Sequence, residues 1–227
     1  MAVLSPAKIR DGIDWLVNWM KWPTAVLSVI ALPAVGLASV TLATEIIAQP
    51  VPMFSFLGGA VAYALLWWWF IRHSRITFLQ TLEHELTHAL FALTTLHRVT
   101  RLRAAWSRGG HIEFVGSGNW LITAAPYFFP TVCVVLLPIC AIVPGLTTWW
   151  GDILLGAAFA YHVTSTLRET HPGQSDLKQL GWLFCIAFLP TANLVALGSL
   201  LAFAHGDTAS LWQFLTFSGV STMSILQ

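Results

Sequence analysis

Charge is what this sequence has least of. Only 9% of its 227 residues are Asp, Glu, Lys or Arg, against 56% hydrophobic. With a mean hydropathy of +0.72, the chain has too little polar surface to coat a water-soluble globule. The charge it does carry is nearly balanced, 11 basic against 10 acidic residues, which excludes nucleic acid as a partner, since that role needs a basic face. Cysteine is scarce as well. Cys133, Cys140 and Cys185 are odd in number, lie in apolar runs and form no Cys-x-x-Cys pair, so buried free thiols are expected, and neither disulfides nor metal ligands. No small-residue cleavage site follows the charged stretch 8–14, so residues 1–22 do not read as a signal peptide. Repeats and low-complexity tracts are missing too, and residues 1–227 read as one domain.

What is present is long apolar segments. Residues 23–47, 53–71, 76–96, 120–150, 151–167 and 177–204 each read as a span, so the expected class is an all-α polytopic membrane protein with about six transmembrane helices in contact with a lipid bilayer. Residues 1–22 read as an amphipathic helix, with Ile9, Ile13, Leu16, Val17 and Met20 on one side and Trp15, Trp19 and Trp22 suited to the interface. Residues 98–116 alternate on either side of Ser107-Arg108-Gly109-Gly110 and predict a small β-hairpin. Residues 211–226 are apolar but short for a span. Pro126, Pro130, Pro138 and Pro144 predict kinks in the fourth segment.

The third segment carries the chemistry. Thr81-Leu82-Glu83-His84-Glu85-Leu86-Thr87-His88 contains His-Glu-x-x-His in a run that is otherwise almost wholly apolar. Residues four apart on an α-helix lie nearly over one another, so His84 and His88 present two imidazoles to one point, where Zn2+ accepts nitrogen ligands. Glu85 is placed as a general base for an attacking water. Thr77, Thr81, His84 and His88 form one polar stripe, a side that faces protein and not lipid. Ionisable residues at membrane depth are costly and mark function. A catalytic zinc keeps three protein ligands. The third must come from elsewhere, and Asp176, His162, Glu169, His171 and Asp152 are all chemically suitable.

Arg72 and Arg75 after the second segment, and Arg98, Arg101, Arg103 and Arg108 after the third, would fall on opposite faces if the third segment crossed fully, against the tendency of basic residues to stay cytoplasmic. A site nearer the cytoplasmic face, with the basic hairpin on that side, resolves the conflict.

A His-Glu-x-x-His helix in apolar sequence, paired with a much later Asp-Leu at a helix head, resembles the site-2 protease family of intramembrane zinc metallopeptidases. The hairpin after that helix is similar to a compact bacterial-type branch. The resemblance implies His84, His88 and Asp176 as zinc ligands, with Glu85 as catalytic base. It also implies hydrolysis of a peptide bond within or next to a transmembrane segment of a membrane-protein substrate, by an integral multi-pass protein of the cell (inner) membrane. The match departs from the family's Leu-Asp-Gly, since Ser175 precedes and Leu177 follows the aspartate. His162 stays open as the rival third ligand or as a group near the metal, and Asn193 and Glu169 as substrate-binding residues. The alternatives are a metal-ion carrier, in which the same residues hold a cation in transit, and an inactive membrane scaffold. The sequence does not fix the oligomeric state.

Overall fold

The computed structural model describes residues 5–71, 78–105 and 109–225. Arg72, Arg75 and Thr77, together with Ser107 and Arg108 of the expected turn, lie outside the described residues. The order is α1 (Pro6–Trp19), α2 (Lys21–Ala48), a 3-10 turn (Val51–Met53), α3 (Phe54–Trp69), α4 (Phe78–Thr94), β1 (Val99–Ala105), β2 (Gly109–Phe114), α5 (Trp120–Ala124), a 3-10 turn (Ala125–Tyr127), α6 (Thr131–Ile142), α7 (Trp149–Glu169), α8 (Ser175–Leu180) and α9 (Trp182–Ile225). Among the described residues, three helical stretches are long and apolar enough to cross a membrane: Lys21–Ala48, Val51–Trp69 and Trp182–Ser224. A bent pair, Trp120–Tyr127 with Thr131–Ile142, makes up to four.

α2 and α9 form the frame. α2 buries a face of small residues, Ala25, Ser28, Ala34, Val35 and Ala38, which lets the backbones approach. The Thr191 hydroxyl donates to the Ser28 carbonyl across that contact at 2.7 Å. Lys21 donates to the Leu180 carbonyl just ahead of α9, and Ala38 clusters with Ala202. These pairs advance together along both chains, so the two helices run in the same direction. α3 and α7 also pack closely. A Cβ on Gly156 would run into the Phe56 backbone, and one on Gly59 into that of Ile153, so only glycine permits this approach.

Two expected spans are built differently. Residues 120–150 are not one kinked helix: α5 and its 3-10 turn meet α6 at 73°, and residues 143–148 separate α6 from α7. Pro130 stands at the break, where it supplies no backbone N–H and biases the residue before it away from helix. The segment 177–204 is likewise not continuous. Gly181, with a positive φ of 85° that glycine adopts without strain, ends α8, and α9 starts afresh at Trp182.

At its far end α9 breaks at Gly206 and Asp207. A straight helix would separate Gly198 and Phe214 by about 24 Å, yet the Phe214 ring lies on Gly198 and joins Ala38, Leu42 and Ala202 in one cluster. Residues 208–225 therefore fold back against α2 and the first arm of α9.

β1 and β2 pair antiparallel, with Leu102 opposite Ile112 and Ala104 opposite Gly110. α1 leaves Trp15 and Trp19 bare, 69% and 62% exposed, and buries an acid, Asp14.

Candidate metal centre

α4 holds its functional groups on the face that Thr81, His84, Glu85 and His88 share, and all four line a cavity of about 740 Å³. The rings of His84 and His88 are 4.8 Å apart, centre to centre. α8 brings the third group. Gln174 sits at the cap of that helix, with Asp176 in its first turn, and donates from its side chain to Glu169 at the end of α7. Asp176 Oδ2 lies 3.2 Å from His84 Nε2 and 3.3 Å from His88 Nε2. The Tyr127 hydroxyl donates to the same oxygen at 3.3 Å. Burial works to raise the Asp176 carboxyl, but the hydrogen bonds to His84 and His88 outweigh it and hold the group well below the usual carboxylate range.

The ligand atoms of His84, His88 and Asp176 lie within 4.8 Å of one another and are placed to hold a metal ion. The donor set suits one: two imidazole nitrogens and a carboxylate oxygen are borderline ligands for a divalent transition metal. His88 is prepared for the role. Its Nδ1–H donates to the Ile122 carbonyl at 2.7 Å, which fixes the ring and turns Nε2 toward Asp176 and the space a metal would take.

Of the five third-ligand candidates, Asp176 is the one that joins the histidines among the described residues. Asp152 sits in the first turn of α7, a helix length away. His171 is exposed and accepts from the Gly173 amide. Glu169 lines the cavity. His162 is buried on α7 with its Nε2 bonded to no protein group, and it does not line the cavity. Asn193 donates to the Tyr127 and Leu189 carbonyls, so it touches the backbone of the residue whose hydroxyl meets Asp176.

Glu85 is buried beside Gly110 of β2. A Cβ there would overlap the Glu85 carboxyl, so the hairpin lies directly over that carboxyl. Gly110→Ala is expected to displace Glu85 while sparing the three metal-binding groups. Metal affinity should then stay within a few-fold of wild type while any hydrolytic turnover falls by about tenfold or more, a loss typical of misplacing a reacting group by an ångström. Metal titration beside a turnover assay checks it.

A second network escaped the sequence reading. Asp14 of α1 is buried, with Oδ1 accepting from Asn119 Nδ2 at 2.7 Å and Oδ2 meeting His97 Nε2 at 3.0 Å. Asn119 caps α5 by accepting from the Ile122 amide, and the carbonyl of Ile122 is the group that holds His88. A chain of buried contacts thus runs from α1 to the imidazole of His88, one of the three groups placed to hold a metal. The available signal was an acid on the flank of an amphipathic helix, with its partners about a hundred positions away. Removing one partner of such a buried pair costs about 3–5 kcal/mol, and outer-shell losses weaken metal binding about 10–100-fold. Asp14→Ala is therefore expected to lower both the unfolding temperature and the metal affinity, with Asp14→Asn recovering part of each. Chelator competition and thermal unfolding measure the two.

No family model matches the chain, nor does any curated protein or solved structure.

Proposed function

We propose that this chain is a zinc metallopeptidase of membranes, similar in its chemistry to the site-2 proteases that its His84-Glu85-x-x-His88 helix resembles, and that it hydrolyses a peptide bond of a membrane-protein substrate. One observation carries the reading. His84, His88 and Asp176 converge from two elements remote in sequence, and Glu85 lines the same cavity. In this reading the apolar segments make it a multi-pass protein of the cell membrane, with the hairpin and α8 housing the site at one end of the bundle.

Zinc held by the three groups would supply Lewis-acid polarisation of the scissile carbonyl. Glu85 takes a proton from the attacking water, whose oxygen bonds to the carbonyl carbon. As the C–N bond breaks, Glu85 returns that proton to the leaving amine. Burial beside Gly110 keeps the base out of bulk water, and Tyr127, donating to Asp176, holds that carboxylate in register. Helical substrate must unwind first, because its carbonyls are occupied. β2 lines the cavity through Gly110, His111 and Ile112, and an extended segment laid beside it is presented over Glu85 by main-chain pairing.

Glu85→Gln tests the proposal. Turnover should fall by about a thousandfold, within the range for loss of a general base, with zinc content unchanged and with little effect on folding. A metal carrier or a scaffold would be indifferent to this substitution, so unchanged function in the variant would remove the hydrolase reading.

A further inference from the structure

The depth of the site follows from the directions of the helices. α2 and α9 have their heads at the same end, where Lys21 meets the Leu180 carbonyl, and Asp176 lies in the short helix just ahead of that head. From Trp182 to Leu200 a helix rises about 27 Å, close to the roughly 30 Å of a hydrocarbon core. The cluster of Met53, Phe56, Leu155 and Leu200 therefore marks the far side, and the metal-binding triad marks the near one.

Tryptophan sorts in the same way. Trp15, Trp19, Trp22 and Trp182 stand exposed around the near end. Trp149 and Trp150 stand exposed at the head of α7, two turns before the far cluster. Indoles gather at the headgroup level on either side of a bilayer. The triad lies level with the first of these belts.

The wall of the cavity agrees. Among the described residues, the three spanning stretches contribute only Lys21, the first residue of α2, and the bent pair contributes Trp120, Ile122 and Thr123 from its first, short arm. Beside Ile112, Phe114 and Leu180, polar side chains such as Asn18, Glu169, Gln174 and Gln179 make much of the rest, a lining that hydrates peptide groups. α1 forms one side of the opening through Asn18, and the bare indoles of Trp15 and Trp19 stand on either side of that residue on the helix. Indoles settle at the headgroup level, so the opening that these two flank lies beside the membrane surface.

We infer that the triad acts at the headgroup level, and that its substrate is the polar, extended stretch of polypeptide immediately outside a membrane span and not the span itself. The inference rests on the hydrolase reading for its chemistry, but the depth stands on the fold alone.

The test has two arms, both on the full chain in liposomes of phosphatidylcholine and phosphatidylglycerol. In the first, Cys133, Cys140 and Cys185 are replaced by alanine and single cysteines are placed at Gln179, in the cavity wall, and at Leu37, lipid-facing in mid α2. A cationic, membrane-impermeant methanethiosulfonate is supplied on both sides. Gln179→Cys should react about a hundredfold faster than Leu37→Cys, because a charged reagent is excluded from hydrocarbon. Equal, slow rates would overturn the assigned depth.

In the second arm, a single-span model polypeptide with a leucine-alanine span and serine- and threonine-rich flanks is incubated with wild type and with Glu85→Gln, and any cuts are mapped by mass spectrometry. Cuts in the flank that depend on Glu85 are expected, and cuts within the span would overturn the substrate class. No cut by wild type would reject that substrate class and the hydrolase reading together, while the thiol rates would still decide the depth.

Discussion

Asp176→Ala is expected to strip the site of its metal, lowering affinity by about a hundredfold or more, beyond the range seen for losing an outer-shell partner. The reason is geometric. His84 and His88 sit one turn apart on a single helix and supply two nitrogens from one side. Asp176 is the one group of the triad that comes from another element, and the only carboxylate in it. Its Oδ2 is the point on which both imidazoles and the Tyr127 hydroxyl converge. Removing it leaves two neutral donors and an open flank facing the cavity. His162→Ala makes the contrast. That ring lies outside the cavity wall, so its loss should alter stability and leave metal affinity within a few-fold. Metal content after dialysis against a graded chelator series reads both variants. Full retention of metal by Asp176→Ala with loss in His162→Ala would transfer the ligand role to the histidine.

Gly156→Val should break the packing of α3 on α7. A Cβ at this position meets the backbone carbonyl of Phe56, and one at Gly59 meets that of Ile153. Backbone cannot rotate out of the way as a side-chain tip can, so the helices must separate along the whole contact. Overpacking of side chains alone costs about 1–3 kcal/mol, and a main-chain obstruction falls at or above the upper end. The damage should reach the site, because α7 ends at Glu169, which anchors the cap of the helix carrying Asp176. Gly58 provides the control, since a Cβ there meets nothing within 4 Å. Gly58→Ala should be neutral or slightly stabilising, as alanine favours helix over glycine by about 1 kcal/mol. Denaturant unfolding in detergent separates the two.

The centre was more legible in the sequence than the frame around it. A metal-binding pair four apart on a helix is a local pattern, and helix geometry alone brings His84 and His88 together. Asp176 was one of five chemically suitable groups, and only the resemblance, through an Asp-Leu at a helix head, singled it out. The hairpin declared itself by alternation. What did not show was anything set by packing between distant segments. Nothing near Asp14 in the chain announces Asn119, which is 105 positions away. Nothing in the hydropathy of residues 120–150 distinguishes one kinked span from two helices at 73°, because both bury the same apolar residues and Pro130 permits either.

The side-by-side course of α2 and α9 carries a consequence for how the protein is made. The Ser28–Thr191 bond joins residues 163 positions apart, so the alanine- and serine-lined flank of the second helix has no mate until most of the polypeptide has left the ribosome. Contacts so distant along the chain form slowly, and until this one forms the small-residue face of α2 stays uncovered. Premature stops anywhere before Trp182 would release a fragment in which α2 has lost its partner.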